Sequence, residues 1–251
     1  MRKISLFFIL VSVLLVAVFI SGCGKKEVKP EVAYDPEKYL TNADTLVTEK
    51  NYDEARKVLL EVKNRDSQKK YGALAQLKIA DTYVKEGEPD LAIAEYRKFI
   101  ENYPDNQYAS YAQYQIAMTY YSQIESPDRG TGVAKSALIE FNRLKQLYPR
   151  NPYRDIVELR IEKARNTIAD GDFMIGEFYF KKESYQAALG RLEELMSNYP
   201  DYKRADKALL LMGKSYKALK MDDKAKEVFT RLIEKYPAGD AAKEAAKLSQ
   251  R

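Results

Sequence analysis

Four Tyr-Pro pairs, Tyr103-Pro104, Tyr148-Pro149, Tyr199-Pro200 and Tyr236-Pro237, punctuate a stretch whose apolar residues recur at helical spacing with no sustained strand alternation. Proline cannot continue a helix and pushes the residue before it out of the helical region, so each pair predicts a helix end. Counting back 11, 7 and 4 residues from each tyrosine gives Ala92, Tyr96, Phe99; Ala137, Phe141, Leu144; Ala188, Leu192, Leu195; and Ala225, Phe229, Leu232. These offsets share one helical face. A second helix precedes each of these, marked by a small residue and a large one three positions on: Ala43/Leu46, Ala80/Tyr83, Ala117/Tyr120, Gly176/Tyr179 and Gly213/Tyr216. Successive small residues are 37, 37, 59 and 37 apart. Helix pairs at a fixed period cannot bury their faces alone, which predicts a solenoid whose neighbours complete each core.

The 59-residue step exceeds the period by 22 residues. Eight of them fall between Ala117 and Ala137, where Ser126-Pro127-Asp128-Arg129-Gly130-Thr131-Gly132 reads as a loop. The other 14 precede Gly176 and amount to about four helical turns, so a first helix from about 152 to 180 can lengthen without rotating its packing face. Gly171 inside it costs about 1 kcal/mol relative to alanine and is a place for a kink. The Ala- and Lys-rich segment after Pro237 suits a polar capping helix.

The 251 residues are 45% hydrophobic and 31% charged, enough for a core and a solvated surface. The absence of histidine and the single cysteine exclude His-based triads, His or multi-Cys metal sites and an intrachain disulfide. The net charge of +5 is spread without long basic runs, which argues against nucleic acid, and no cofactor or metal is expected. Arg2 and Lys3 precede an apolar stretch from Ile4 to Ile20, 17 residues against the roughly 20 of a membrane-spanning helix, so residues 1–22 read as a signal peptide. Ile20-Ser21-Gly22-Cys23 resembles the bacterial lipobox, which implies lipidation of Cys23, a lipidated tether over 23–34 and, with Gly24 in place of aspartate, an outer-membrane address.

The helix pairs resemble the tetratricopeptide repeat, which implies an all-α solenoid of five pairs with a C-terminal capping helix: repeats 1–3 over 35–149, repeats 4–5 and the cap over 150–251. The first copy departs from the pattern, with Arg65-Asp66 in place of Tyr-Pro. Lipobox, repeats and long helix together resemble the BamD family of β-barrel assembly lipoproteins. The resemblance is carried by Arg165-Asn166-x-Ile168-Ala169, Gly176-x-Phe178-Tyr179, Ser184-Tyr185-Gln186-Ala187-Ala188-x-x-Arg191 and Tyr114-Gln115-Ile116-Ala117. Gly130 replaces the second aspartate of the family's Asp-Arg-Asp loop, so contacts through that acid do not carry over. The resemblance implies a non-enzymatic scaffold on the periplasmic face of the outer membrane. Its partners would be the POTRA domains of BamA, other assembly-machine lipoproteins and unfolded outer-membrane β-barrel proteins. The alternative is a repeat lipoprotein for type IV pilus secretin assembly or cell-envelope division.

Three candidate sites follow. Arg191 matches the family arginine that pairs with an acidic residue on the last POTRA domain; its competing role is an ion pair with Glu193 or Glu194 on its own helix. A groove along the first helices is expected from the family register at Leu40, Val47, Leu74, Leu77, Val84, Tyr111, Tyr114, Met118 and Tyr121, suited to an extended peptide with aromatic and apolar side chains unless neighbouring repeats cover it. Cys23 is the expected point of attachment to the membrane.

Overall fold

The computed structural model describes residues 34–67 and 70–249. Cys23, the signal peptide and all but the last residue of the expected tether lie outside the described residues. Pro36–Arg251 forms one compact unit by itself. Its described residues make eleven helices and no strand: α1 (Pro36–Thr48), α2 (Tyr52–Arg65), α3 (Gly72–Glu86), α4 (Pro89–Asn102), α5 (Ala109–Ser122), α6 (Pro127–Leu147), α7 (Arg154–Lys181), α8 (Tyr185–Asn198), α9 (Ala205–Ala218), α10 (Asp222–Lys235) and α11 (Asp240–Ser249).

The second helix of four pairs stops at the residue before a Tyr-Pro tyrosine, and that tyrosine still donates its N–H four residues back at 2.9 Å, as Tyr103 does to Phe99 and Tyr199 to Leu195. The turn inside a pair closes differently. The N–H groups of Asn51, Glu88, Ser184 and Met221 reach back five residues to the carbonyls of Leu46, Tyr83, Tyr179 and Tyr216 at 2.8–3.0 Å. Such a closure needs a left-handed residue just before the donor. It is Gly87 in one pair (φ 88°) but Lys50, Glu183 and Lys220 in the others (φ 61°, 60° and 58°). In the first repeat Asp66 replaces Tyr-Pro: its Oδ2 accepts the N–H groups of Tyr71 and Gly72 at 2.8 and 2.5 Å, satisfying two free donors where α3 begins.

Each core joins a helix pair to the first helix of the next. Leu40 and Ala43 of α1 meet Leu59 and Val62 of α2 and Ala75 and Ile79 of α3. Tyr96 and Phe99 of α4 lie between α3 and α5. Ala137, Phe141 and Leu144 of α6 pack on Ala117 of α5 and on Val157 and Ile161 of α7. Ala169 and Phe173, further along α7, join the core built with α8, α9, α10 and α11. Burial of each such phenylalanine or leucine contributes about 1.5–3 kcal/mol. Where the small residue is glycine the approach is close: a Cβ on Gly176 would stand 2.7 Å from Leu192 Cδ2, and one on Gly213 would overlap the Phe229 ring.

The expected loop at 126–132 is a correction: only Ser126 is extended, and α6 begins at Pro127 and runs 21 residues. Proline at the first helical position has its φ already set, which suits a start here. The added turns are held by α7. A Cβ on Gly171 would overlap Thr131 Cγ2 and lie 2.9 Å from the Pro127 carbonyl oxygen. Gly171 is therefore a point of close helix approach, and α7 runs as one uninterrupted helix across it. At 28 residues α7 is twice as long as α8, and its two halves serve two successive cores.

Candidate functional site

The expected groove register is largely occupied by the fold. Leu40 and Leu77 are 8% and 5% exposed and belong to the core, a correction to their expected role. They lie three residues before the small residue of their helix, about 60° around the axis from it, which turns them toward the packed side. Tyr114 stacks on Tyr153 with ring centroids 4.1 Å apart and planes 14° apart, and its hydroxyl accepts a hydrogen bond from Arg160. Tyr121 meets Phe141 edge-on at 5.9 Å, and the Arg160 guanidinium lies 5.7 Å from the Tyr114 and Tyr121 rings. Met118 packs in the same core. The extra turns at the start of α7 thus bring covering groups to the aromatic stripe of the third repeat. Tyr111 donates to Asp81 at 3.1 Å and accepts from Gln115 at 2.7 Å. Leu74 and Val47 stay half-buried, and Val84 is 42% exposed.

Asp81 is the polar centre of this face. Tyr96 and Tyr111 donate to its Oδ1 at 2.5 and 3.1 Å, and burial still holds the carboxyl above its ordinary range. It lines a small cleft of about 130 Å³ with Val47, Lys78 and Lys85. Asp170 on α7 goes the other way. Burial opposes its charge, but bonds from Lys203 (2.8 Å) and Tyr202 (2.6 Å) outweigh that and hold it below the usual range. The Arg204 guanidinium lies over Phe173 at 4.3 Å, so the α8–α9 connection is tied to α7.

Arg191 is exposed on α8, its Nη1 3.4 Å from Glu194 Oε2. A pair this open is worth a few tenths of a kcal/mol and leaves the fork available. Arg191 and Lys135 also lie in the field of Asp172 on α7, whose carboxyl burial pushes up. Asp172 and Lys135 line a cleft of about 380 Å³ with Met174, Ile175 and Phe178, which are 42%, 43% and 56% exposed. These three continue the side of α7 on which Gly171 meets α6, past the point where α6 begins. Sequence reasoning missed this patch. Its signal was the spacing Gly171, Ile175, Phe178, which gains meaning only once α6 is known to start at Pro127.

Comparison with known proteins places the chain among envelope proteins. The family profile described as YfiO, outer membrane lipoprotein, matches residues 33–232. The chain is 26% identical over 220 residues to the outer membrane protein assembly factor BamD of Caulobacter vibrioides, covering 86% of this chain and 72% of that protein. It is 26% identical over 213 residues to BamD of Vibrio cholerae, covering 80% and 88%. Among solved structures it resembles the TPR2AB-domain:pHSP90-complex of yeast Sti1 at 16% identity and a TM-score of 0.44, over 86% of this chain and 83% of that one.

Proposed function

The chain belongs to the YfiO family of outer membrane lipoproteins, and we propose that it is a non-enzymatic scaffold for assembling β-barrel proteins into that membrane. The match over 33–232 carries this reading, and the names of the relatives as outer membrane assembly factors support it. In this proposal Cys23 anchors the chain by lipid to the periplasmic face. Arg191 receives a carboxylate of the last POTRA domain of a BamA-type protein, beside the apolar patch of Met174, Ile175 and Phe178. Other assembly-machine lipoproteins join the same complex. Unfolded barrel proteins meet the first-helix face where Val47, Leu74 and Val84 keep exposed surface.

The scaffold reading rests on rigidity and exposed side chains. A solenoid with continuous cores holds two surfaces at fixed separation, and α7, shared by two cores, couples them. Exposed arginine with a weak partner on its own helix can exchange that partner for a carboxylate held in a bidentate geometry. The test is titration of isolated POTRA domains against the chain and its Arg191→Glu variant. Reversing one member of a desolvated pair costs about 2–5 kcal/mol, so affinity should fall by more than about thirtyfold while the melting temperature holds. Unchanged affinity returns Arg191 to its pair with Glu194.

A further inference from the structure

The doubled length of α7 leaves a second, differently charged face open. Glu158, Glu162, Arg165 and Ala169 fall within about 60° of one another around the axis, on the side that the later half of the helix gives to α8. With the loop from Tyr199 to Tyr202 they enclose a cleft of about 580 Å³. Its apolar wall is Ile161, Ala169 and Leu159, the last 62% exposed. Its charges do not balance: three carboxylates, Glu158, Glu162 and Asp201, stand against the single guanidinium of Arg165. Glu158 is held by Lys145 at 2.6 Å, and Arg165 lies over the Tyr199 ring at 5.6 Å. The side-chain carboxylates of Glu162 and Asp201 make no ion pair or hydrogen bond among the described residues.

A leucine that is mostly in water beside two carboxylates with no ion-pair partner, which outnumber the one guanidinium of the cleft, matches one kind of occupant. We propose that this cleft docks an extended, lysine- or arginine-bearing segment of a partner protein, its cations on Glu162 and Asp201 and a flanking apolar side chain on Leu159. A long cationic side chain suits the place, because its methylenes can lie along Leu159 while its head reaches the acids. The attraction of opposite charges raises the rate of encounter and makes the affinity salt-dependent. This docking goes beyond the proposed function and uses neither Arg191 nor the first-helix face.

The test is fluorescence anisotropy with the full chain in detergent and two labelled, acetylated peptides, Leu-Lys-Ala-Lys-Leu-Arg and its acidic counterpart Leu-Glu-Ala-Glu-Leu-Glu. The basic peptide should bind and the acidic one should not. Glu162→Gln with Asp201→Asn should weaken the basic peptide about tenfold, the combined effect of two partly exposed pairs. Leu159→Ser should weaken it several-fold, and added salt should weaken the wild type more than the double variant. All three residues are exposed, so circular dichroism should be unchanged, and Arg191→Glu should leave the affinity as it was. Absence of basic-peptide binding, equal binding of both peptides, or wild-type affinity in the double variant would overturn the proposal.

Discussion

Gly171 of α7 lies against Thr131 of α6 so closely that a single added methyl group would overlap the threonine Cγ2. That contact joins the two lengthened helices, and with them the cores on either side of α7. Gly171→Ala should therefore destabilise the chain by about 1–3 kcal/mol, despite the better helix propensity of alanine. Gly190→Ala is the control, since nothing lies within 4 Å of its added Cβ, and it should gain up to about 1 kcal/mol. Urea unfolding of the two variants checks the pair, and a stabilised Gly171→Ala would contradict the close approach.

The turns inside the pairs hold three non-glycine residues in the left-handed region. Lys50→Gly, Glu183→Gly and Lys220→Gly should each raise stability by up to about 1 kcal/mol, while Gly87→Ala should lower it by about as much. Thermal melts of the four single variants read this directly.

Asp81 gives a pH signature. Its carboxyl is held above its ordinary value in the folded chain, so the native state binds more protons than the unfolded state between the two values. Stability from this group is therefore highest in acid and falls as pH rises through its ordinary value to its folded value. Asp81→Asn keeps an acceptor for Tyr96 and Tyr111 but removes the buried charge. The variant should gain stability relative to the wild type as pH rises from about 3 to 7, as denaturant midpoints across that range would reveal; a variant that loses stability relative to the wild type over that rise would contradict it.

On the first-helix face, Val84→Asp with Leu74→Ser should weaken binding of a C-terminal barrel peptide several-fold with helicity unchanged. Tyr114→Ala should instead cost about 1–3 kcal/mol of stability, because that ring is stacked on Tyr153 and bonded to Arg160. Fluorescence titration and thermal melts separate the two effects. Equal peptide affinity in the Val84 and Leu74 variant would move the substrate elsewhere.

Much of the solenoid was legible because its cause repeats. Tyr103, Tyr148, Tyr199 and Tyr236 announce helix ends through the prolines after them, and the spacing back to Phe99 or Leu195 names the buried side. Pro127, Gly130 and Gly132 read as a loop on local propensity, and packing of the added turns against α7 overrides it. Lys50, Glu183 and Lys220 carry no mark of their left-handed backbone, since only Gly87 has the side chain such a position favours. The face of Tyr114 and Tyr121 could be placed on one side of a helix by spacing, but not seen to be covered. That depends on where Tyr153 and Arg160 stand, a relation between helices that a register within one helix does not contain. Arg191 was legible as a candidate only by resemblance, and its pair with Glu194 is what three-residue spacing on a helix permits.

The central claim, that this chain is an outer-membrane scaffold for barrel assembly, is tested most directly by what it holds in the membrane. The chain, tagged at its C-terminus, would be recovered from detergent-solubilised outer membranes and its companions identified by mass spectrometry. The account predicts a POTRA-containing barrel protein, recovered with the wild type and lost with Arg191→Glu at equal expression. Recovery of a secretin in its place, or of the barrel protein in equal yield with both chains, would contradict it.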